Sequence, residues 1–275
     1  MHLILKKSHI KLSIYSTLFA LFIPVSMLAQ SLPLGNDVVK RVNERNEGEH
    51  LVQDLKMTLI NKKGKKQIRD TKSYRKDYDD QRKTILLYSS PSNVKGTAFM
   101  SYDYHEAMKD DDQWLYLPAL RKTRRISAAN RGDYFLGTDF TYEDIKLGTK
   151  MSQDDYSYTS IKEADINGHT CILVEAIPKT DKIARELGYK KVHQWIDASI
   201  WMVRQSKYWD IAGNELKSTY VKDIKRIQGI WTFQSLEAIN HKNGHKTTIT
   251  FGNSDYKVPV DDDLFSEESL VRGVN

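Results

Sequence analysis

The sequence predicts a mainly β protein built as one large, curved antiparallel barrel or half-barrel. Three observations carry this. Segments of alternating apolar and polar residues recur between residues 51 and 256, the period of strands with one buried face. Turn signals separate them, Asn167-Gly168 and Asn243-Gly244 being the clearest, because Asn-Gly accepts the positive-φ turn that matches hairpin twist. Helix signals are scarce, and roughly a dozen strands in a meander need closure or a second sheet to hide their edges.

The elements follow in order. NDVVKRVNERNEG (36–48) offers Asn36 or Asp37 as an N-cap, Val38, Val39 and Val42 on one face, and Gly48 as a stop, which predicts a short helix. Period two then takes over. Residues 51–60 and 67–78 are strands joined by NKKGKK, residues 82–90 and 94–104 flank the breaker PSN, and WLYLP (114–118) is the next strand. Residues 156–164 and 169–177 pair across Asn167-Gly168. Residues 191–197 and 201–210 lead to the turn AGN, then 215–227 meets 230–240, and Asn243-Gly244 opens 245–256. Alternate side chains would line the interior, Leu55, Met57 and Leu59 on one strand and Ile85 and Leu87 on another. Residues 258–271 read as a terminal tail or short helix. No repeat or long linker divides residues 30–275, so a single domain is expected.

The N-terminus has the layout of a secretory signal peptide over residues 1–29: Lys6, Lys7 and Lys11, then an apolar run from about Leu12 to Leu28, then Ala29. An uncleaved anchor is the alternative, although Ser13, Ser16, Thr17 and Pro24 interrupt a run that is short for a span of about 20 residues. No cysteine ends the run, which excludes lipid attachment there. Removing three lysines and no acids lowers the net charge from +6 to +3, mildly basic and not polyanion-seeking. Cys171 is the single cysteine, so stability rests on an ordinary core and not on disulfides. About 245 residues are enough to build one.

Catalytic constellations are weak. His241 and His245 have i, i+4 spacing, but Lys242, Asn243 and Gly244 between them favour a hairpin tip over a zinc helix. Asp261, Asp262 and Asp263 lack the glycine and ligand spacing of a calcium loop. Cys171 sits among apolar residues, as a small core side chain does. Neither a G-x-S-x-G elbow nor a phosphate-cradling loop occurs, and no carboxylate pair is placed for acid–base work. No enzyme, metal or cofactor is expected.

The informative stretch is WLYLPALRKTRRISAANRGDYFLGTDFTYEDI (114–145). It sets an apolar strand, a cationic knot and an aromatic–acidic segment side by side, with Thr138 or Asp139 as a helix cap before TYEDI. It resembles the outer-membrane lipoprotein-sorting family of periplasmic proteins, the branch related to the lipoprotein carrier LolA. W-L-Y-L-P-A-L-R-K-x-R-R-I (114–126) and G-T-D-F-T-Y-E-D (137–144) carry the resemblance, with weaker support from W-I-D (195–197) and the closing strands to about Phe265. The resemblance implies an incomplete barrel of the LolA/LolB type, with short helices covering its mouth and a hydrophobic cavity for acyl chains. It further implies a periplasmic location and an association with inner-membrane exporters of the resistance-nodulation-division (RND) type.

On that implication Trp114, Leu115, Leu117, Phe135, Phe140 and Tyr142 become candidate cavity or lid residues. Trp114 and Tyr116 would share one face of the strand, and Leu115 and Leu117 the other. Arg121, Arg124, Arg125 and Arg131 become candidate contacts for anionic headgroups or an acidic partner. RKTRR (121–125) fits a solubilising loop, or an internal latch onto Asp139, Glu143 and Asp144, equally well. The leading expectation is a carrier of lipid or lipoprotein acyl chains toward the outer membrane. The alternative is a non-transport module docking on an exporter or envelope complex. Nucleic acid is not an expected partner, given export and the low net charge.

Overall fold

The structure, a computed structural model, describes residues 31–106, 109–148 and 150–272. The expected signal peptide at residues 1–29 lies outside them. Helix α1 (Gly35–Asn43) precedes an antiparallel meander of β1 (His50–Ile60), β2 (Lys66–Asp77), β3 (Gln81–Ser90), β4 (Ala98–Tyr104), β5 (Asp112–Leu117) and β6 (Lys122–Arg125). A segment containing α2 (Tyr142–Leu147) leads to β7 (Tyr156–Ile166), β8 (His169–Pro178), α3 (Asp181–Leu187), β9 (Lys191–Asp197), β10 (Met202–Trp209) and β11 (Glu215–Lys222). The ribbon β12 (Lys225–Ile227) and β13 (Ile230–Thr232) follows, then β14 (Ser235–Asn240), β15 (Lys246–Asp255) and α4 (Glu267–Arg272).

Thirteen of these strands form one sheet in the order β6-β5-β4-β3-β2-β1-β15-β14-β11-β10-β9-β8-β7. Pairing of β1 with β15 joins the first meander to the last hairpin. The edges β6 and β7 are not paired with each other, so the sheet is a half-open barrel, mainly β with a few short helices. No helix among the described residues is long and apolar enough to cross a membrane.

Three apolar cores explain the burial. On the concave face, Met57, Leu86, Phe99, Leu115 and Ile249 pack against Phe135, Phe140 and Tyr142. The valines of α1 pack on β7, β8 and β9 through Tyr158, Val174, Val192 and Ile196. On the opposite face of β3, β4 and β5, the tail covers Ile85, Met100 and Tyr116 with Val260, Phe265 and Leu270.

That third core corrects the strand reading. Ile85 and Leu87 belong to the tail-covered face, and Leu86 and Tyr88 face the interior with Leu55, Met57 and Leu59. Both faces of β3 are buried, so alternation cannot say which face points inward. Other corrections are local. Leu34 is the N-cap of α1, without a side-chain cap. Residues 215–227 and 230–240 each split in two; Asp223 has φ 54° within the first, and Gln228 and Gly229, with φ 51° and 88°, turn the small ribbon. Strand β6 and helix α3 were not anticipated.

Candidate binding cavity

The segment G-T-D-F-T-Y-E-D-I-K fills the concave side, and nearly every residue in it has a seat. Thr138 donates from Oγ1 to the Phe135 carbonyl at 2.8 Å. Asp139 donates from its backbone N–H to Thr247 Oγ1 at 3.0 Å, and its carboxylate accepts the Thr247 hydroxyl at 2.7 Å and meets His245 Nδ1 at 2.6 Å. Thr141, and neither Thr138 nor Asp139, caps α2. Its hydroxyl accepts from Asp144 N–H at 3.1 Å while Asp144 Oδ2 accepts from Thr141 N–H at 2.8 Å, a capping box that satisfies two helix-end donors. Phe140 and Tyr142 enter the core, and Phe135 stands edge-on to Phe99 at 5.0 Å and to Tyr142 at 5.3 Å.

The charges of α2 are buried and paired. Lys146 lies 2.9 Å from Glu143 and also contacts Asp111. Burial raises the Glu143 carboxyl above its usual range, although Lys146 and Arg131 oppose this. Asp144 lies 2.5 Å from the ammonium of Lys217, which also donates to the Asp139 carbonyl at 3.1 Å. The side chain of Lys217 has 0% exposure. The rings of Tyr208 and Tyr189 flank this ammonium at 4.7 and 5.2 Å, within cation–π range.

Two cavities flank α2, and Asp144, Leu147, Gly148 and Leu236 line both. One, of about 90 Å³, is walled by Phe140, Tyr156, Tyr158, Val192 and Tyr208. The other, of about 140 Å³, is walled by Leu55, Leu86, Ile249 and Phe251 and ends at Arg45, Arg75 and Arg82. These are two largely apolar spaces separated by α2, with charged side chains at their edges. The buried Cys171 thiol is pushed up to about 11, chiefly by burial and then by Asp197, which makes it a poor nucleophile.

The sequence-predicted site residues divide. Leu115, Phe135, Phe140 and Tyr142 lie together in the concave core, and Leu117 packs against it. Phe140 alone among them lines a cavity. Trp114 is on the other face, stacked on Tyr102 at 4.9 Å and packed with the tail-covered core. Alternation along β5 puts it opposite Leu115 and away from the interior.

The arginines also separate. Arg121 and Arg124 are exposed, and Arg125 pairs with Asp112 on the neighbouring strand. Arg131 is a structural latch: its two terminal nitrogens hold Asp155 at 2.9 and 2.7 Å, and one reaches Glu186 at 3.3 Å. Burial opposes ionisation of Asp155, but the Arg131 hydrogen bonds and charge more than offset it and hold the carboxyl below its usual value. Beside it, Gly132 lets the loop touch α3, since a methyl there would overlap the backbone of Glu186 and Leu187. The latch anticipated from RKTRR to Asp139, Glu143 and Asp144 is thus replaced by His245, Lys146 and Lys217.

Sequence reasoning missed Lys217, the tyrosine-lined wall and the arginine-lined end. The tyrosines carried a signal in their abundance, 15 in the chain, but strand tyrosines suit outer faces equally well.

The profile of a family described as "Uncharacterized protein" matches residues 80–272. Comparison with curated proteins gives no match. Among solved structures, a domain named for outer membrane lipoprotein sorting from Vibrio parahaemolyticus is similar at 25% identity and TM-score 0.78, covering 86% of this chain and 98% of its own. A DUF1329 family protein from Desulfovibrio piger has 26% identity and TM-score 0.77, over 85% of this chain and 96% of its own. A LolA superfamily protein from Nitrosomonas europaea shares the fold at 15% identity and TM-score 0.64, over 86% of this chain and 99% of its own.

Proposed function

We propose, on the premise that the chain belongs to the LolA-like family, that it is a periplasmic carrier sheltering the acyl chains of a lipid or lipoprotein for transfer toward the outer membrane. The observation that carries this reading is the pair of largely apolar cavities divided by α2. A cavity of about 140 Å³ is close to the roughly 150 Å³ that admits benzene, so it takes a short piece of chain and not a whole one. Withdrawal of α2 would join the two spaces. Sheltering about a dozen methylenes is worth roughly 10 kcal/mol gross, at about 0.8 kcal/mol each, before association entropy is subtracted.

A second reading is a non-transport module docking on an exporter or envelope complex. The filling of the concave face by Phe135, Phe140 and Tyr142 favours it. Native mass spectrometry of the protein purified from its own envelope separates the two. A stoichiometric acylated ligand, lost when Leu236, which lines both cavities, is changed to Asp, is the expected result. A clean apo mass, with no uptake of a fluorescent fatty acid, would overturn the carrier reading. An RND-type exporter as donor or acceptor belongs to the same reading, and its support is the motif at residues 114–126.

Delivery needs a membrane contact, and the turn between β5 and β6 suits one. Leu120 is 61% exposed, and Arg121, Lys122 and Arg124 are exposed around it. Basic residues at an anionic surface contribute about 1 kcal/mol each. The double change Arg121→Ser, Arg124→Ser should therefore weaken sedimentation with anionic vesicles about tenfold or more, leave neutral vesicles unaffected, and keep the melting temperature. Equal sedimentation of wild type and variant would remove this surface from the proposal.

A further inference from the structure

We propose that the smaller cavity is a hydrogen-bonding subsite that takes the uncharged carbonyl at the head of the cargo's acyl chain, ester or amide, on the hydroxyls of Tyr156 and Tyr189. This deepens the carrier reading and rests on it.

The strand register explains why there is a space. On the inner face one row runs Tyr158, Ala176, Val192, Tyr208 and Lys217 across β7, β8, β9, β10 and β11. The next row runs Val174, Gln194, Ser206 and Thr219. Tyr156 stands two positions before Tyr158, with the ring centroids 6.0 Å apart, and Tyr189 lies against Tyr208 at 4.9 Å. Ala176, Val192, Ser206 and Thr219 are short, so the four rings stand around a gap and do not close it. The larger cavity has a single tyrosine, Tyr256, whose hydroxyl lies 2.8 Å from that of Thr232.

The four hydroxyls of the smaller cavity are not equally engaged. Tyr158 donates to the Ser152 carbonyl at 2.7 Å, and Ser206 and Thr219 hydrogen-bond to Tyr208. Tyr156 Oη makes no hydrogen bond among the described residues. Tyr189, 4% exposed, has no well-formed one; Thr141 is within reach, but its hydroxyl already accepts from Asp144 at the α2 cap. A buried donor without an acceptor is costly. Two of them at one cavity mark a place that an incoming acceptor completes.

The chemistry of that acceptor follows. Burial pushes Tyr208 up to about 12 and raises Tyr156, Tyr158 and Tyr189 well above the usual phenol range, so all four keep their protons and donate. Glu143 and Asp144 line the same cavity beside Lys150. An anion there would be buried next to two carboxylates, which is costly; a carbonyl accepts without that penalty. The cavity measures about 90 Å³. At roughly 30 Å³ per water-sized group, it holds about three heavy atoms, the size of an ester or amide group. The tail would then lie in the larger cavity, against Leu55 and Ile249.

The test is displacement of a fluorescent fatty acid from the mature protein by methyl laurate, N-methyl lauramide and tetradecane delivered from cyclodextrin. Tyr156→Phe should weaken the carbonyl ligands about fivefold, the scale of one hydrogen bond, and leave tetradecane unchanged. Adding Tyr189→Phe should deepen the loss, and the ligand with the larger loss names the linkage. The melting temperature of Tyr156→Phe should not fall, because its hydroxyl has no partner to lose. Unchanged carbonyl binding in both variants, the result if ordered water alone fills the cavity, would overturn the inference. So would equal losses for all three ligands with a lower melting temperature, which would make the hydroxyl a support of the wall. Either result leaves the carrier reading standing. Failure of the wild type to bind the fluorescent fatty acid would overturn both.

Discussion

Lys217→Met is expected to lower stability by about 3–5 kcal/mol, the cost of removing one partner from a buried ion pair, and to free the segment around α2. Methionine approximates the length of the aliphatic stem, so the loss comes from charge and not from a void. The ammonium ties two points of the segment, the Asp139 carbonyl and the Asp144 carboxylate, to β11. Without it, Asp144 keeps the Thr141 N–H but loses its counter-charge, with only 14% of its side chain exposed. Urea denaturation reads the stability and amide exchange reads residues 139–147. Faster exchange confined to this segment, at urea concentrations well below the midpoint, is the expected pattern. Uniform acceleration across the sheet would instead make Lys217 a general core support with no special hold on α2. Adding Asp144→Asn to Lys217→Met should cost much less than the two single effects together, because the residues share one interaction.

The contacts of Lys217 also mark where the sequence stopped being legible. Strands such as β8, β9 and β15 were readable because each pairs with a neighbour across a short turn. The hairpin tips at Asn167 and Gly168, with φ 54° and 82°, have the positive values that Asn-Gly is suited to. Helix α3 was legible but passed over: Thr180 accepts from Ile183 N–H as its cap, and Gly188, with φ 76°, ends it. The cap of α2 was misplaced by two or three residues because Thr138, Asp139 and Thr141 are all good caps, and only Thr141 has an acid three positions on.

The partners of the buried acids were beyond reach for another reason. Lys217 is 73 positions from Asp144, and His245 is 106 from Asp139. Pairings of that range follow from strand order, which a single sequence does not state. Nothing in the sequence groups Arg45, Arg75 and Arg82, which the fold brings to one end of a cavity. The tail over β3, β4 and β5 had the same effect on Trp114, whose apolar surroundings are real but lie outside the barrel.

Phe140→Ala is expected to cost about 3–5 kcal/mol, as large-to-small changes of buried aromatic residues do, and yet to increase acyl uptake. The two effects have one cause. Phe140 is 2% exposed and forms a wall of the smaller cavity, so truncation adds its volume to a space lined by tyrosine rings and Val192. If Phe140 served mainly to grip a ligand, its removal would lower both stability and uptake. If it belongs to the plug that occupies the ligand's place, stability falls while the apolar space grows, and a fluorescent fatty acid should bind more tightly or with a longer chain-length optimum. Phe135→Ala is the control. Phe135 is as deeply buried, between Phe99 and Tyr142, but it lines neither cavity, so it should lose comparable stability without the gain in uptake. Measured at matched fractions folded, a gain in both variants would point to general loosening of the core, and a loss in both would make these aromatics ligand contacts. A gain in Phe140→Ala alone would identify the side chain that the cargo displaces, and with it the side of α2 on which the chain first enters.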